Sequence, residues 1–313
     1  MDYLYRYLDY LPPIGPWEMT AVPSPSQDLD QEQREQFHEK GYVFTPGFLP
    51  GETIETLRHE ANDLLEILVN VSLARGENIR LSLVQPPDGE RQSLRKVQPY
   101  LDLSSTFFDF ATSDGILEPL RQLYDDEPVL HVPSSKINYK QPLPEPIEGL
   151  EYSKRTDRFP IHSDWGYYKR NDYPQEVTTT IVFLDDVKED SGPLQIWPGT
   201  HTEELEHESI DIGRQVVPGE LEGYESETLL GPAGSVLTFD SRLVHSSSPN
   251  ESDRPRKFAI FTHYPESNET DAFRVNSSVD YVNAEARQTG AVVEYLRQRA
   301  AGEVEDQWRL PQR

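Results

Sequence analysis

The sequence of 313 residues contains no cysteine, which excludes disulfide bonds, thiol nucleophiles and cysteine-ligated zinc or iron–sulfur centres. Any metal ion must therefore be bound by histidine, aspartate or glutamate, and the chain has only 8 histidines. Cations are scarce as well, because 29 lysines and arginines face 55 aspartates and glutamates, giving a formal net charge of −26. This balance argues against nucleic acids and anionic membranes as partners, since both are bound through clusters of basic residues.

Long apolar runs are also missing. No stretch approaches the roughly 20 apolar residues that a membrane-spanning helix needs, and the N-terminus lacks the cationic and apolar regions of a secretion signal. We therefore expect a cytoplasmic, soluble protein, either a monomer or a homodimer, whose partner is a small-molecule substrate. Hydrophobic residues make up 35% of the chain and are spread along it, so a sizeable core can be buried.

The first part of the chain is predicted to be mainly helical. Residues 1–27 carry five prolines among aromatic residues and indicate an irregular N-terminal arm. In the segment 28–125, an amphipathic helix begins near Asp28 and is ended by Gly41, and a short strand follows it. A second helix over Glu52 to Ala74 places leucines at helical spacing, and one or two short helices come after it. These elements predict a helical layer.

The pattern changes to short apolar or alternating runs over 126–265, separated by Gly, Pro, Asp and Ser. Six or more such strands without long intervening helices predict an antiparallel sandwich or jelly roll. A polar, proline-rich loop over 141–159 is either a functional lid or a surface excursion. The segment 266–313 contains a further helix. Since no linker or repeat divides the sequence, we expect a single domain over 1–313.

The tripeptide His162-Ser163-Asp164 follows this loop at the return to apolar sequence. Residues i and i+2 of an extended strand point to the same face, so the imidazole of His162 and the carboxylate of Asp164 project together. Such a pair can bind one divalent metal ion, although it can equally be a hydrogen bond within a strand. The motif is therefore a candidate metal site that needs a further ligand.

A third ligand is available at His245, in another strand-like run. Two histidines and one aspartate leave about three octahedral positions open, as in non-haem Fe(II) oxygenases. Arg256 lies 11 residues beyond His245, at the start of an apolar strand. A guanidinium buried there needs a carboxylate partner, and its planar fork suits a dicarboxylate. Alternation places Arg254 on the same face, so the local spacing does not separate the two arginines.

Three segments together resemble the phytanoyl-CoA dioxygenase family of Fe(II)/2-oxoglutarate oxygenases. They are HSD, FLDDVKEDSGPLQIWPGTH and HSSSPNESDRPR, and the similarity runs from about Phe44 to Tyr264. The resemblance implies a double-stranded β-helix, which is a cupin-like jelly roll, flanked by N-terminal and C-terminal helices. It also implies an oxidoreductase that uses iron, O2 and 2-oxoglutarate, releases succinate and CO2, and oxidises a C–H bond of its substrate.

The same resemblance assigns roles to individual residues. It makes His162, Asp164 and His245 the iron ligands and the catalytic centre. It makes Arg256, rather than Arg254, the partner of the distal carboxylate of 2-oxoglutarate, because the family keeps this 11-residue spacing. Three further residues are expected to contact the co-substrate, namely Ser247, Asn138 and Thr180.

The substrate pocket is less well defined by the sequence. Trp165 and Tyr168 follow the metal motif and either line the pocket or belong to the core. Lys140 and Lys136 share a strand face with Asn138, so one of them is expected in the cavity or in solvent. The resemblance leaves the substrate open, and hydroxylation, desaturation and ring formation all remain compatible with it.

The acidity of the chain has two explanations at this point. Three glutamates in the loop, Glu145, Glu148 and Glu151, together with the net charge of −26, favour a cationic or polyhydroxylated metabolite as substrate. Adaptation to a high-salt cytoplasm is the competing explanation. The competing function is a non-catalytic, cupin-like protein that binds metal or ligand. The complete set of three metal ligands and one arginine favours the enzyme.

Overall fold

The computed structural model describes residues 28–86, 91–131, 135–169, 176–268 and 280–310. The arm predicted over 1–27 lies outside these described residues. Six α-helices lie in the described part of the chain. They are α1 (Gln31–Lys40), α2 (Gly51–Arg75), α3 (Ser105–Ala111), α4 (Asp114–Leu123), α5 (Trp165–Tyr168) and α6 (Asp280–Ala300). No helix in these ranges is both long enough and apolar enough to cross a bilayer.

The β structure has fifteen strands in the described ranges. In chain order they are β1 (Tyr42–Thr45), β2 (Leu81–Gln85), β3 (Gln92–Val97), β4 (Val129–His131), β5 (Lys136–Leu143), β6 (Ser153–Lys154), β7 (Phe159–His162), β8 (Thr178–Phe183), β9 (Leu194–Trp197), β10 (His207–Ile210), β11 (Gly213–Val216), β12 (Glu227–Leu229), β13 (Val236–Asp240), β14 (Val244–Ser247) and β15 (Phe258–Pro265).

These strands form two main sheets and one hairpin. The major sheet has the order β1-β13-β8-β15-β5-β3-β2-β6, with β4 also paired to β15. The minor sheet has the order β12-β9-β14-β7, and β10 pairs with β11. Apolar residues of both sheets share one core cluster, which includes Ile181 and Phe258 from the major sheet and Ile196 from the minor sheet. The two sheets therefore face each other, and the predicted jelly roll with a helical layer is confirmed.

The helical layer covers the outer face of the major sheet. Helix α1 begins at a capping box, in which the Asp30 carboxylate accepts from the Gln33 amide at 2.8 Å, and it ends at Gly41 with φ of 83°. The leucines predicted at helical spacing in α2 are buried, and they pack with Ile137 and Tyr139 of β5. Because side chains alternate along β5, Lys136 and Asn138 point to the opposite face, toward the minor sheet.

Two expectations about the loop and the helical segment need correction. The segment 28–125 was expected to be mainly helical, yet it also contributes β2 and β3 to the major sheet. The loop expected over 141–159 is shorter, because β5 continues to Leu143 and β7 begins at Phe159. Ile147 of this loop is buried in the core under the helical layer, and Asn78 donates to the carbonyl of Glu151 at 2.8 Å. This part of the loop is anchored to the helical layer.

Candidate active site

Strand pairing brings the three predicted metal ligands together. His162 is the last residue of β7, and it is the register partner of His245 in β14, so the two imidazoles lie side by side with ring centroids 4.4 Å apart. Asp164 follows in the turn after β7, with its Oδ1 3.9 Å from His162 Nε2. One ligand atom from each residue lies within 4.8 Å of the others, and all three residues are buried. This geometry suits one divalent metal ion.

Hydrogen bonds fix the orientation of all three ligands. The Nδ1 of His162 donates to the carbonyl of Pro160 at 2.7 Å, and the Nδ1 of His245 donates to the carbonyl of Leu243 at 3.0 Å. Since a carbonyl oxygen only accepts, each Nδ1 carries the proton and each Nε2 keeps its lone pair for a metal. Thr179 donates to Asp164 Oδ2 at 3.0 Å, which leaves the other carboxylate oxygen available.

Electrostatics keep the ligands in their metal-binding protonation states. Burial, followed by the charge of His245, lowers the pKa of His162 to about 3, and burial also lowers the pKa of His245. Burial on its own would raise the pKa of Asp164, but its neighbours, first the charge of Lys136 and also the hydrogen bond from Thr179, outweigh burial and hold that pKa below its usual value. Neutral imidazoles and an ionised carboxylate are the forms that coordinate a metal.

The three ligands lie in a cavity between the two sheets. Its wall includes Asn138, Ser247 and Arg256, three of the four residues predicted to contact the co-substrate. The apolar part of the wall comes from both sheets and consists of Phe159, Ile181, Leu194, Phe239, Phe258 and Ile260. A pocket with a mainly apolar wall and a few convergent polar groups is typical of small-molecule sites.

Arg256 is the most unusual residue of this wall. It is 1% exposed, its Cζ lies 3.8 Å from the Phe258 ring centroid, and none of its three guanidinium nitrogens has a hydrogen-bond partner among the described residues. Burial lowers its pKa to about 9, against the opposing charges of Asp157 and Asp185, so it stays charged at neutral pH. A buried cation without partners is costly, and a carboxylate would satisfy it. The residues present therefore fit 2-oxoglutarate.

The structure also separates the two arginines that local spacing left open. The Arg254 side chain is 72% exposed, and its nearest ion-pair contact, to Asp253, is 3.9 Å long. Arg256 lines the cavity instead, two residues before β15 begins at Phe258. The position expected from the family resemblance is thus the buried one.

Thr180 is placed differently from its prediction. Its hydroxyl lies 3.3 Å from that of Thr238, and Thr180 is not part of the cavity wall. Its neighbour Thr179 lines the cavity and binds Asp164. Because neighbouring residues of a strand point to opposite faces, the expectation named the right strand and the wrong face. Thr179 is thus a site residue that the sequence analysis missed.

Lys140 also differs from its expected position. It is fully buried, and its ammonium donates to the carbonyl of Ser248 rather than lining the cavity. The register between β3 and β5 shifts here, and Lys140 itself has a φ of 35°. This irregularity breaks the alternation that placed Lys140 with Asn138. Lys136, the alternative weighed alongside it, does line the cavity.

Trp165 and Tyr168 belong to α5, a single turn that begins directly after Asp164. Both are half-buried, and neither lines the cavity around the metal ligands. The strand ends at His162, so the alternation considered for Tyr168 does not extend to it. Tyr167 of the same turn packs edge-on against His162, with ring centroids 5.5 Å apart. The role of Trp165 and Tyr168 in substrate binding stays a prediction.

Comparison with known proteins gives consistent matches. Residues 37–258, more than two thirds of the 313, match the phytanoyl-CoA dioxygenase (PhyH) family. The chain is 30% identical over 251 residues to ectoine dioxygenase of Halomonas elongata, covering 75% of this chain and 70% of that protein. It is 26% identical over 242 residues to a probable alpha-ketoglutarate-dependent hypophosphite dioxygenase of Stutzerimonas stutzeri, covering 73% and 76% of the two chains.

A solved structure supports the same fold. EctD from S. alaskensis, crystallised with 2-oxoglutarate and 5-hydroxyectoine, superposes with a TM-score of 0.57 at 20% identity, over 82% of this chain and 85% of that chain. The family match covers His162, Asp164, His245 and Arg256, the residues that the structure gathers around one cavity. The chain belongs to the phytanoyl-CoA dioxygenase family, and it is a non-haem iron, 2-oxoglutarate-dependent dioxygenase.

Proposed function

We propose that this dioxygenase oxidises a C–H bond of a small polar metabolite in the cavity between the two sheets, with succinate and CO2 formed from 2-oxoglutarate. The observation that carries the proposal is the buried guanidinium of Arg256, which has no hydrogen-bond partner among the described residues and shares a cavity with the metal ligands. The two curated relatives named for ectoine and hypophosphite support a small substrate.

Each part of the site has a separate task in this proposal. Iron, when bound, supplies the oxidising chemistry with O2. The chain contributes three protein ligands, His162, Asp164 and His245, and leaves the other coordination positions open. Arg256 binds the distal carboxylate of 2-oxoglutarate and so orients the co-substrate toward the metal. The apolar wall excludes water from the reacting groups.

A non-catalytic, cupin-like binding protein is the alternative function. It would retain a metal site but would have no need for a buried cation without partners, which destabilises the fold unless a ligand compensates it. The described residues instead show both features in one cavity, so the enzyme is the better account of Arg256.

The test is an anaerobic titration of the protein with Fe(II) and 2-oxoglutarate. We expect the visible charge-transfer absorption of the chelate in the wild type, its loss in Asp164→Ala because iron binding fails, and a 2-oxoglutarate affinity lower by roughly 100-fold in Arg256→Met. Arg254→Met, with its exposed side chain, is the matched control and should behave as the wild type. Iron binding without any response to 2-oxoglutarate would refute the proposal.

A further inference from the structure

We propose that the substrate carries an oxyanion, a carboxylate or a phosphonate, which is bound by Arg95, Lys96 and Lys136 on the side of the cavity formed by β3 and β5. This inference rests on the proposed function, because it names the substrate class of the same site. It departs from the cationic metabolite that the acidic sequence favoured. Its basis is a group of cations on this side of the sheet, of which Lys136 lines the cavity, and none of which forms an ion pair with a carboxylate of the described residues.

The register of the major sheet places Lys96 on the cavity face. Lys96 is paired directly with Asn138, and Lys136 with Ile260, in adjacent antiparallel strands. Directly paired residues share a face, and Asn138, Lys136 and Ile260 all line the cavity. The half-buried Lys96 therefore points toward the same space, next to the wall that Lys136 already forms.

Arg95 lies on the same face of the sheet as Lys96, because β3 is irregular at this point. The β3–β5 register shifts between Leu94 and Lys96, and both Leu94 and Val97 pack in the core under the helical layer. The side chains of the two intervening residues, Arg95 and Lys96, therefore both point away from that core. Arg95 stacks on Phe159 of the cavity wall, with its Cζ 3.8 Å from the ring centroid.

These cations lack the partners that buried charges usually have. Arg95 is 5% exposed, its Nε has no hydrogen-bond partner within the described ranges, and one Nη donates to the carbonyl of Arg158 at 3.4 Å. Lys96 donates to the neutral amide oxygen of Gln98 at 2.6 Å. Neither contact supplies a negative charge. A buried cation such as Arg95 without a negatively charged partner is expected only where a ligand supplies the negative charge.

One nearby carboxylate does not balance the group. The charge of Asp157 acts on Arg95, Lys140 and Arg256 together, so this carboxylate is shared by three cations. Burial, followed by the charges of Lys136, Arg95 and Arg155, lowers the pKa of Lys96 to about 7. The register agrees with this, because Lys96 pairs with Asn138, which lies two residues from Lys136 on the same face of β5.

The co-substrate does not account for the whole group. 2-Oxoglutarate has two carboxylates, of which the distal one would bind Arg256 and the other would face the three metal ligands. Lys136 lies near the ligands, since it lines the same cavity as His162, Asp164 and His245. An oxyanion held by Lys136 together with Lys96 and Arg95 would fix the substrate beside the metal, with its reactive carbon held at a constant distance.

The glutamates that favoured a cationic substrate lie elsewhere. Glu145, Glu148 and Glu151 are exposed, and their loop is held against the helical layer by Ile147 and Asn78. Exposed carboxylates attached to that side of the sheet have little influence on a cavity on its other side, because solvent screens them. The structure thus favours an anionic substrate over a cationic one.

The test uses the anaerobic holoenzyme, loaded with Fe(II) and saturating 2-oxoglutarate, and measures calorimetric binding of acetate and of methylphosphonate. We expect at least one of these anions to bind, with an affinity that falls at least about tenfold in Lys96→Gln and in Arg95→Gln, because each removes a charged hydrogen bond. Lys188→Gln is the matched control, since Lys188 is exposed on the surface. Comparing the two anions distinguishes a carboxylate from a phosphonate.

A second measurement is made on the wild type alone, so that the inference can be tested even if the variants misfold. In the wild type, anion binding should weaken as sodium chloride is raised, and the neutral amide acetamide should not bind. No binding of either anion, equal binding of acetamide, or unchanged affinity in both variants would overturn the inference. The charge-transfer titration of the same wild-type sample separates the two proposals. If 2-oxoglutarate binds and the anions do not, only the substrate class is wrong.

Discussion

The surface and the cavity of this protein carry opposite charges. The whole chain has 55 acidic against 29 basic residues, whereas the cavity wall carries Lys136 and Arg256 and contains one acid, the candidate metal ligand Asp164. Charges at the surface are cheap because water solvates them, but charges inside a fold persist only where a partner compensates them. Net charge therefore describes the solvated surface of this protein and not its cavity.

The strongest effect is expected from a Lys→Glu substitution in the cavity, compared with the same substitution on the exposed surface. Lys136→Glu places a like charge beside Asp164 and the co-substrate carboxylates, which costs several kcal/mol, so kcat/KM for 2-oxoglutarate should fall by roughly 100-fold or more. Lys188→Glu, on the exposed surface, should leave kcat/KM within about twofold, in line with the small effect of exposed charges. Steady-state succinate formation measures both, and similar losses in the two variants would contradict the contrast.

A smaller effect is expected for the residue that hydrogen-bonds to the candidate metal ligand Asp164. Thr179→Val removes the hydroxyl that donates to Asp164 Oδ2, and loss of such a contact typically lowers metal affinity by about 10- to 100-fold. Thr180→Val is the matched control on the other face of β8, and it should retain wild-type iron affinity. Anaerobic Fe(II) titration decides this, and equal losses in the two variants would show that the strand as a whole had been disturbed.

The free energy of unfolding should depend on the charge of Lys96, because a desolvated cation destabilises the folded state. The folded-state pKa of Lys96 is lowered to about 7, from an ordinary value near 10.5, so the protonated form is disfavoured in the fold. The resulting destabilisation is fully present below pH 7 and is lost as pH rises toward 10.5. Lys96→Met should therefore be more stable than the wild type by about 1 kcal/mol at pH 6.5 in phosphate-free buffer.

Urea denaturation at several pH values checks this prediction. The difference between Lys96→Met and the wild type should shrink between pH 6.5 and pH 9.5, since the wild-type lysine loses its proton over this range. Exposed Lys188→Met supplies the control for removing a positive charge and should show no such pH dependence. A gap that stays constant or widens would mean that Lys96 is not the group responsible.

The smallest effect is expected for the acidic loop. Replacing Glu145, Glu148 and Glu151 together by glutamine should change neither the affinity for 2-oxoglutarate nor the rate of succinate formation by more than about twofold, because exposed charges are screened. The triple variant and the wild type should differ only in how the free energy of unfolding depends on salt concentration. A tenfold change in either functional measurement would restore the loop as part of the substrate site.

Local sequence predicted those parts of the fold that depend on local rules. The capping box of α1, the glycine that ends it and the apolar face of α2 all follow from residues within a few positions of one another. Strands β2 and β3 were missed because they lie within a predominantly helical segment and their own alternation is interrupted. Thr180 was misplaced because one residue of error in a strand reverses the face.

The kind of chemistry expected at the site could be predicted from the sequence. Absence of cysteine limited the ligands to histidine and carboxylate, and the family pattern identified His162, Asp164, His245 and Arg256. Whether Arg256 or Arg254 is buried, and the pairing of Lys96 with Asn138, follow only from the tertiary structure. These outcomes depend on pairing between strands distant in the chain, and strand pairing sets register and burial that no local period contains.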